Sequence, residues 1–563
     1  MNRPYPAALL LPSDAFDTDQ HQVMGRRVAG RSFAQGIAAS LHPQEQLCVL
    51  AGSSHDLPLL KDLLQPCLPV GSELWLSSKL ATEELEQLGC LHLPDPGLAH
   101  WCALRAGRQA SSFSITGITH TLCSKAVVQG LETLISAPLE PWDALVCTSR
   151  AAKAVVEQAL EQQLELLNRR FKQQLPRPQG PELPLIPLAI DPTSLRGNAS
   201  HINRQQERLA ARQALGISPD DFVVVFVGRL SFHSKAHPLA LYRALADLCD
   251  QGPVLLLECG HLYNASIAAA YEQLAYRFPQ LKVQRLGGLT PASERDKQLA
   301  LWAADVFCSP ADNLQETFGL SVLEAMAAEL PVVASDWNGY RDLVEHGRTG
   351  LLIPTADSLH GQVLPDELER HYRLGLIDYD TMVGLRSHGV VVDQHALVQA
   401  LAMLKANPQG RRRMGEAGLE RLEHHFSWRV VAEQYRSLWT ELGQRRLAAQ
   451  ASDPGPWPSS SYGALFGHYS SGPLPQHSWR LARDGSDPSL LLEPMQQSFF
   501  NRWCPKGKIS ELVNLLQTWR DTGKVVNQKS WEAAADGLGI ASSDRACVLA
   551  ALQKLGVVER CDP

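Results

Sequence analysis

Residues 309–354 read SPADNLQETFGLSVLEAMAAELPVVASDWNGYRDLVEHGRTGLLIP, and this stretch contains the pattern that decides the fold. Short apolar runs at 305–309, 331–335 and 350–353 have the length of strands, and a helical pattern covers 321–328. Strands that alternate with helices form parallel sheets with right-handed crossovers. The stretch therefore predicts part of an α/β domain with a parallel sheet.

The loop and helix inside this stretch form a candidate anion site. Glu316 lies in the loop after the first strand, and the helix begins around Phe318-Gly319-Leu320. The free amides and positive dipole end of a helix N-terminus suit phosphate, and a glycine lets a ligand approach the backbone. Glu324 lies roughly two turns further on. Because carboxylates accept hydrogen bonds from hydroxyl pairs, this order suits a sugar at one end of a diphosphate and a ribose at the other.

The same alternation extends to two tandem series of strands and helices. The second series has predicted strands at 222–227, 254–258, 281–286, 305–309, 331–335 and 350–353. The first series has predicted strands at 7–11, 46–51, 73–77, 90–93, 113–118, 143–147 and 183–190, several of them continuous apolar runs. Two such series predict two facing Rossmann-like domains, with ligands bound between them beyond the carboxyl ends of the strands.

The quoted stretch resembles the signature of retaining glycosyltransferases of family 4, the glycogen-synthase-like and sucrose-synthase-like group 1 enzymes. The resemblance rests on Glu316 and Glu324 inside ETFGLSVLEAMA, followed by PVVAS and GRTGLLIP. It covers about residues 5–445 and implies the GT-B architecture of two facing Rossmann-like domains with parallel sheets. It also implies that Glu316 contacts the hydroxyls of the donor sugar and that Glu324 holds the nucleotide ribose.

A second segment, VGRL at 227–230 followed by Lys235, supplies two candidate cations. The strand ends at this point, so Arg229 and Lys235 are expected to project from the carboxyl edge of the sheet, where ligands bind. An arginine fork and a lysine point charge can neutralise a departing diphosphate. The family has glycine after the lysine, whereas this chain has Ala236. The alternative is a pair of solvated surface cations.

Three further candidate positions come from the resemblance. The segment MGRRVAGRSFAQG contains Gly25 and, as a second choice, Gly30, where the family's N-terminal backbone approaches the donor phosphate. His120 follows a predicted strand, and the resemblance places it near the sugar and the acceptor; a structural histidine is the alternative. Leu289, in the segment Gly287-Gly288-Leu289, lies where the family's backbone meets the base.

Composition excludes several classes of protein. The 563 residues are 45% hydrophobic and 20% charged, as in ordinary globular chains. With 52 basic and 59 acidic residues, the net charge of −7 removes a global electrostatic argument for nucleic acid. No apolar run reaches membrane-spanning length. The 12 cysteines form no C-x-x-C pair, which argues against a zinc site or a secreted disulfide framework. We expect a cytoplasmic protein, with a peripheral place at the membrane surface left open, and no metal site.

The C-terminal part has a different composition. Residues 451–488 are rich in Pro, Gly and Ser, which predicts a linker. Helices at 509–522, 530–538 and 543–555 then predict a small helical module. Its pattern is similar to a helix-turn-helix or winged helix, but its basic and acidic residues nearly balance, so a module for oligomerisation or acceptor docking is favoured over a DNA-binding one. A homo-oligomer through this module stays open.

These observations predict five regions and one reaction. The regions are an acceptor-side Rossmann-like domain (1–195), a donor domain (196–425), a helical segment packing back on the first domain (426–450), the linker (451–488) and the helical module (489–563). The resemblance implies a metal-independent, retaining hexosyltransferase that uses a nucleoside-diphosphate sugar. A UDP-sugar is favoured over a GDP- or ADP-sugar, and the acceptor hydroxyl is undetermined. The alternative is a non-catalytic scaffold whose C-terminal module binds a partner or DNA.

Overall fold

The computed structural model describes residues 3–18, 25–79, 82–105, 108–196, 204–362, 364–449, 461–472, 478–505 and 507–561. These residues form two compact units, one within residues 1–459 and one within residues 460–563. The larger unit contains two α/β domains, and the smaller unit is described separately.

The first α/β domain is built on a seven-stranded sheet in which neighbouring strands are parallel. Its strands are β1 (Arg3–Pro4), β2 (Ala8–Leu11), β3 (Glu45–Ala51), β4 (Glu73–Ser77), β5 (Cys90–His92), β6 (Ser114–Ile118) and β7 (Ala144–Val146). Its helices are α1 (Ser13–Phe16), α2 (Gly25–Ala39), α3 (Asp56–Leu64), α4 (Thr82–Leu88), α5 (Leu98–Trp101), α6 (Lys125–Thr133) and α7 (Arg150–Phe171). β3 lies between β4 on one side and β1 and β2 on the other, and β5, β6 and β7 continue the sheet.

The seventh predicted strand of the first series, residues 183–190, is not a regular strand. The segment makes only isolated bridges, such as Cys147 with Leu185 and Ile190 with Ser427. Pro184 and Pro187 lack the backbone N–H that a ladder needs, so the continuous apolar pattern does not lead to a continuous strand.

The second α/β domain has a six-stranded parallel sheet in the order β10-β9-β8-β11-β12-β13. Its strands are β8 (Phe222–Leu230), β9 (Val254–Leu262), β10 (Lys282–Gly288), β11 (Val306–Ser309), β12 (Val332–Ser335) and β13 (Gly350–Ile353). Its helices are α8 (Thr193–Arg196), α9 (Arg204–Leu215), α10 (Leu239–Leu248), α11 (Ala265–Tyr276), α12 (Glu294–Ala303), α13 (Leu320–Ala327) and α14 (Tyr340–Leu343). The strand order reverses next to β8, the position where open α/β sheets bind ligands. The predicted fold class, two parallel α/β domains, is confirmed.

An insertion follows β13 and carries a pair of helices on a two-stranded stem. The stem strands are β14 (Thr355–Asp357) and β15 (Val390–Val392), which pair antiparallel. Between them lie α15 (Glu367–Leu374) and α16 (Tyr379–Ser387). Two hydrogen bonds of 2.9 Å from the Arg386 guanidinium to the Asp357 carboxylate fasten the end of α16 to the stem. The insertion is therefore a helical hairpin that this ion pair holds to its stem, and we call it the 367–387 hairpin.

Three helices complete the larger unit and return to the first domain. They are α17 (Gln394–Ala406), α18 (Pro408–His425) and α19 (Trp428–Ala448). In α19, the indole of Trp428 donates to Ser32 Oγ (2.9 Å) and the indole of Trp439 donates to Thr116 Oγ1 (3.1 Å). The Trp428 ring fills the space beside Gly36, where a Cβ would lie 2.1 Å from it. The last helix therefore packs on the first domain although the chain reaches it from the second.

The smaller unit combines helices with a small sheet, so the interpretation as a purely helical module is incomplete. Its described helices are α20 (Tyr462–Phe466), α21 (Pro494–Trp503), α22 (Ile509–Asp521), α23 (Gln528–Gly537) and α24 (Arg545–Lys554). Its strands β16 (Trp479–Leu481), β17 (Val525–Val526) and β18 (Val558–Arg560) are antiparallel, with β16 in the middle.

The central strand β16 corrects the predicted linker, which was expected to extend to residue 488. Trp479 is buried at the centre of the unit, with its ring centroid 5.9 Å from that of Trp519 and 5.8 Å from that of Trp531. Residues 451–460 and 473–477 of that linker lie outside the described residues. Nowhere in the described chain is a helix long and apolar enough to span a membrane.

Candidate active site

The two α/β domains enclose a cleft with a volume of about 1580 Å³. The carboxyl ends of the second sheet line one wall, and α2 with the loop after β6 lines the other. The cleft contains nearly every predicted site residue: Gly25, His120, Arg229, Lys235, Glu316, Phe318, Gly319, Leu320 and Glu324. Leu289 is not among its lining residues. The structure thus brings together segments that are up to 299 positions apart in the sequence, Gly25 and Glu324.

One end of the cleft holds a nearly enclosed ion pair between Lys235 and Glu316. Their side chains are 12% and 11% exposed. Tyr340, which is buried, also donates to Glu316 Oε2 (3.3 Å) and is paired with Ser309 Oγ (2.9 Å). Burial alone raises the pKa of Glu316, but the Lys235 charge and the two hydrogen bonds outweigh it and lower that pKa. Burial likewise lowers the pKa of Lys235, and the Glu316 charge more than offsets it. Both side chains are therefore charged at neutral pH.

The helix N-terminus lies where the sequence predicts it. Gly319 is the N-cap of α13, with a φ of +108° in the left-handed region. A Cβ at this position would lie 2.3 Å from the Tyr340 ring, so the glycine is required by its backbone conformation and by this packing. The neighbouring Phe318 side chain is buried and faces Phe426, with ring centroids 6.4 Å apart. Phe318 thus supports the start of the helix from within the core.

The other end of the cleft holds a second ion pair, which is more open. Glu324 Oε1 accepts from Lys297 Nζ at 2.7 Å, and their side chains are 17% and 19% exposed. Lys297, on α12, also contacts Glu294 Oε2 at 2.9 Å, and the Glu294 side chain is 88% exposed. Burial lowers the pKa of Lys297, but the charges of Glu324 and Glu294 outweigh it and raise that pKa. Lys297 is therefore a permanent cation beside the predicted ribose contact.

Arg229 lies in the cleft next to the loop that carries Lys235. Its guanidinium donates to the Ser234 carbonyl at 3.4 Å, and the side chain is half-buried. Gly228, immediately before it, faces Lys235: a Cβ at Gly228 would lie 3.2 Å from Lys235 Cε. The end of β8 therefore presents both predicted cations on the same side of the cleft.

His120 lines the cleft from the first domain. Burial and the nearby charge of Arg26 lower the pKa of His120 to about 4. The imidazole is neutral at neutral pH, so it can donate or accept a hydrogen bond but carries no charge. Arg26 itself forms an ion pair with Asp14.

The two predicted glycines of the first domain have different surroundings. Gly25 is the first residue of α2 and a Cβ there would meet nothing within 4 Å, so its backbone is open to the cleft. At Gly30 a Cβ would lie 2.1 Å from the Ala15 carbonyl oxygen, so this glycine serves the packing of α2 on α1. Met24, which begins the quoted segment, lies outside the described residues.

Leu289 does not contribute its side chain to the cleft. The side chain is 58% exposed, and its carbonyl is 3.1 Å from His261 Nε2. Gly287, near the end of β10, has a φ of +88°, and a Cβ there would lie 2.1 Å from the Gly260 carbonyl oxygen, so this position requires glycine. The resemblance implies a contact from the backbone of this segment rather than from the Leu289 side chain, and in the structure the Leu289 carbonyl is paired with His261.

Three residues that line the cleft, Arg26, Gly260 and Lys297, and the buried Tyr340 behind it were missed by sequence reasoning. Tyr340 lies inside the quoted stretch, but only the fold brings its phenol to Glu316. Gly260 lies near the end of β9 and pairs with Gly228 near the end of β8, so the same strand-end argument could have found it. No local sequence pattern identifies Lys297 or Arg26. Lys297 pairs with Glu324 and Arg26 lies near His120, and only the fold brings these residues together.

The described residues contain no cluster of three or more His, Cys, Asp or Glu side chains arranged to hold a metal ion. The cations that face the cleft include Arg229, Lys235 and Lys297, and the amides at the start of α13 lie beside them. These groups are suited to an anionic ligand such as a diphosphate.

Two parallel α/β domains that face each other across a cation-lined cleft define the GT-B class of protein. Residues 207–363 match the family model described as glycosyl transferases group 1. This is the family that the motifs predict, and the matched region contains Arg229, Lys235, Glu316 and Glu324.

The chain is also similar to individual curated proteins. It is 30% identical to a D-inositol 3-phosphate glycosyltransferase of Jonesia denitrificans, across 45% of this chain and 58% of that protein. It is 34% identical to a protein of the same name from a Nocardioides species, across 27% of this chain and 35% of that protein. The chain thus spans about half or less of the length of these relatives.

Among solved structures, the chain resembles Anabaena Alr3699/HepE in complex with UDP. The TM-score is 0.48 at 16% sequence identity, and the match covers 78% of this chain and 100% of that one.

Proposed function

We propose that the protein transfers a sugar from a nucleoside-diphosphate sugar to an acceptor hydroxyl with retention of the anomeric configuration. The observation that carries this proposal is the order of groups along one wall of the cleft. Glu316, the start of α13 and Glu324 follow one another within the region that matches the family. This order matches a sugar, a diphosphate and a ribose.

In the proposed reaction, the bond from the anomeric carbon to the diphosphate oxygen breaks as a bond to the acceptor oxygen forms on the same face. The acceptor proton passes to an oxygen of the departing phosphate. Negative charge develops on the leaving diphosphate, where Arg229, Lys235 and the amides of α13 stabilise it. Catalysis therefore depends on positioning and on fixed positive charge.

The cleft wall of the first domain is proposed as the acceptor side. His120, neutral because of its lowered pKa, lies there beside Arg26. A neutral imidazole can orient the acceptor hydroxyl without competing for its proton as a strong base would. Water has to be excluded from this space, since water in place of the acceptor would hydrolyse the donor.

The first experiment is a donor screen by thermal shift with UDP, GDP, ADP and their glucose derivatives. A ligand at 100-fold its dissociation constant stabilises the folded state by about 2.7 kcal/mol. The matched control is Glu324→Ala, which is expected to reduce the shift. If no nucleotide shifts the wild-type protein, the alternative of a non-catalytic scaffold is favoured instead.

The second experiment determines the stereochemistry of the product. The donor that binds is incubated with a panel of hydroxyl acceptors, including D-inositol 3-phosphate because two relatives carry that name. The anomeric signal of the product is read by NMR, with and without EDTA. Retention and insensitivity to EDTA are expected, and an inverted product contradicts the proposal.

A further inference from the structure

The 367–387 hairpin contacts both domains of the larger unit. It belongs by sequence to the second domain, yet it reaches α6 and the loop before it in the first domain. That loop, residues 119–124, also carries His120. The hairpin is therefore a physical connection across the cleft, separate from the packing of α19 on the first domain.

Two tyrosines make the contacts with the first domain. Tyr372 Oη accepts a hydrogen bond of 2.9 Å from the backbone N–H of Lys125. Lys125 is the first residue of α6, and the first amides of a helix have no partner within it. Tyr379 Oη is 3.2 Å from Cys123 Sγ, and either atom can donate. The hairpin thus satisfies a helix end that belongs to the opposite domain.

Charge reinforces these contacts. Arg373 lies 3.6 Å from Glu132 of α6. Gly375, in the left-handed conformation, caps the C-terminus of α15, and a Cβ there would lie 3.8 Å from Lys125 Nζ. A cation near the carbonyl end of a helix is favourable. The contacts between α6 and α15 are therefore complementary in charge and in hydrogen bonding.

The opposite side of the hairpin contacts the donor-side loop. Tyr263 Oη donates to Asp380 Oδ2 (2.7 Å), and the Tyr263 ring lies edge-on to His233, with centroids 4.9 Å apart. Gly384 lies directly against His233, because a Cβ at Gly384 would be 2.9 Å from His233 Cβ. His233 is two residues before Lys235 in the loop after β8. The hairpin therefore touches the loop that carries Lys235.

We propose that Tyr372 and Tyr379 are positioning residues for sugar transfer, because the hairpin holds the loop carrying His120 in place against the loop carrying Lys235. This inference rests on the proposed function. Neither tyrosine lines the end of the cleft at Glu324. Loss of their hydroxyls should therefore affect transfer and leave the binding of the bare nucleotide unchanged.

The test uses the full chain with the double substitution Tyr372→Phe and Tyr379→Phe, which removes two hydroxyls and keeps both rings. Tyr276→Phe is the matched control, because Tyr276 is 90% exposed. Hydrogen exchange of the segment 119–133 is measured without substrate. The double variant loses two contacts, so it should exchange at least about fivefold faster there, the effect of losing one ordinary hydrogen bond, and the control should exchange as the wild type does.

The same proteins are then titrated with UDP and assayed for transfer. UDP affinity is expected to stay within about twofold, while kcat falls by about fivefold and the donor KM stays unchanged. Unchanged exchange in 119–133 overturns the inference, as does faster exchange with an unchanged kcat. A wild-type protein that binds no nucleoside diphosphate contradicts the proposed function instead. The exchange experiment needs no substrate, so it tests the positioning by the hairpin independently of the proposed function.

Discussion

The two ends of the cleft each hold a lysine–glutamate ion pair, but the pairs differ in their third partner. At the proposed sugar end, Lys235 and Glu316 form an ion pair, and the buried phenol of Tyr340 donates to Glu316. At the proposed nucleotide end, Lys297 contacts both Glu324 and Glu294, and the Glu294 side chain is 88% exposed. The same two residue types therefore lie in a closed network at one end and in an open one at the other.

This difference determines whether each lysine keeps a carboxylate partner when a ligand takes the place of its glutamate. Lys235 has no second carboxylate in contact among the described residues, so its charge is committed to Glu316 or to a ligand that displaces that contact. Lys297 can keep Glu294 when ribose hydroxyls occupy Glu324. We therefore expect the sugar end to control the rate of reaction and the nucleotide end to control affinity.

The largest expected effect is on turnover at the sugar end. Lys235→Met and Arg229→Ala should each reduce kcat by about 10²–10³, the effect of losing one group that stabilises charge in the transition state. Lys297→Met should change kcat by less than about tenfold, since it lies beside the proposed ribose contact. Steady-state kinetics on the three variants tests the comparison, and similar kcat losses at Lys235 and Lys297 would contradict it.

The next effect is on the binding of the bare nucleotide. Glu324→Ala should weaken nucleoside diphosphate binding by about 10- to 150-fold, because charge-assisted hydrogen bonds contribute about 1.5–3 kcal/mol. Glu316→Ala should leave this affinity almost unchanged while it reduces transfer and the discrimination between sugars that differ at one hydroxyl. Isothermal titration decides between the two ends. Equal weakening in both variants shows that the ends are wrongly assigned.

Local sequence patterns predicted the elements of the second domain well. All six of its strands appear where apolar runs of strand length occur, and the helix after Gly319 begins at the expected residue. These features depend on periodicity and on strand-end position, which act over a few residues. For the same reason Arg229 and Lys235 could be placed at the carboxyl edge of the sheet, Glu316 in the loop after a strand and Glu324 within the helix that follows.

Features that depend on distant partners could not be predicted. Lys297 reaches Glu324 from another helix, and Tyr372 reaches Lys125 across 247 positions. The strand β16 is short and lies in a segment of loop-like composition, so only its pairing with β17 and β18 makes it a strand. At Gly30 the close contact is with the carbonyl of Ala15. Ala15 lies outside the motif that contains Gly30, so the motif could not predict this contact.

A smaller effect is expected on the stability of the fold, and it should differ between the lysines at the two ends of the cleft. Lys235→Met leaves Glu316 enclosed without its cation, so we expect a loss of about 2 kcal/mol in the free energy of unfolding. Lys297→Met should cost about 1 kcal/mol or less, because Glu324 faces the open cleft. Urea denaturation measures both.

The double variants provide the control for this prediction. Lys235→Met combined with Glu316→Gln should recover stability, since no unpaired charge then remains enclosed. Lys297→Met combined with Glu324→Gln should recover less, as less was lost. If both lysine substitutions cost the same free energy, the closed and open networks do not differ energetically.

The smallest expected effect is the response of the transfer rate to pH, which tests whether the sugar end has fixed charges. Lys235 has a raised pKa, Glu316 a lowered one, and His120 a pKa of about 4 because of burial and the Arg26 charge. None of these groups changes its protonation between pH 5.5 and 8, so kcat should vary by less than about twofold over this range and fall only as the pH approaches 4. The rate profile is measured for the wild type and for His120→Gln at saturating donor and acceptor. A wild-type profile with an apparent pKa near 6.5 that disappears in His120→Gln would show that this histidine titrates normally and takes part as a proton acceptor. The sugar end would then contain a titrating group in addition to its fixed ion pair, and the contrast between the two ends would have to include proton transfer.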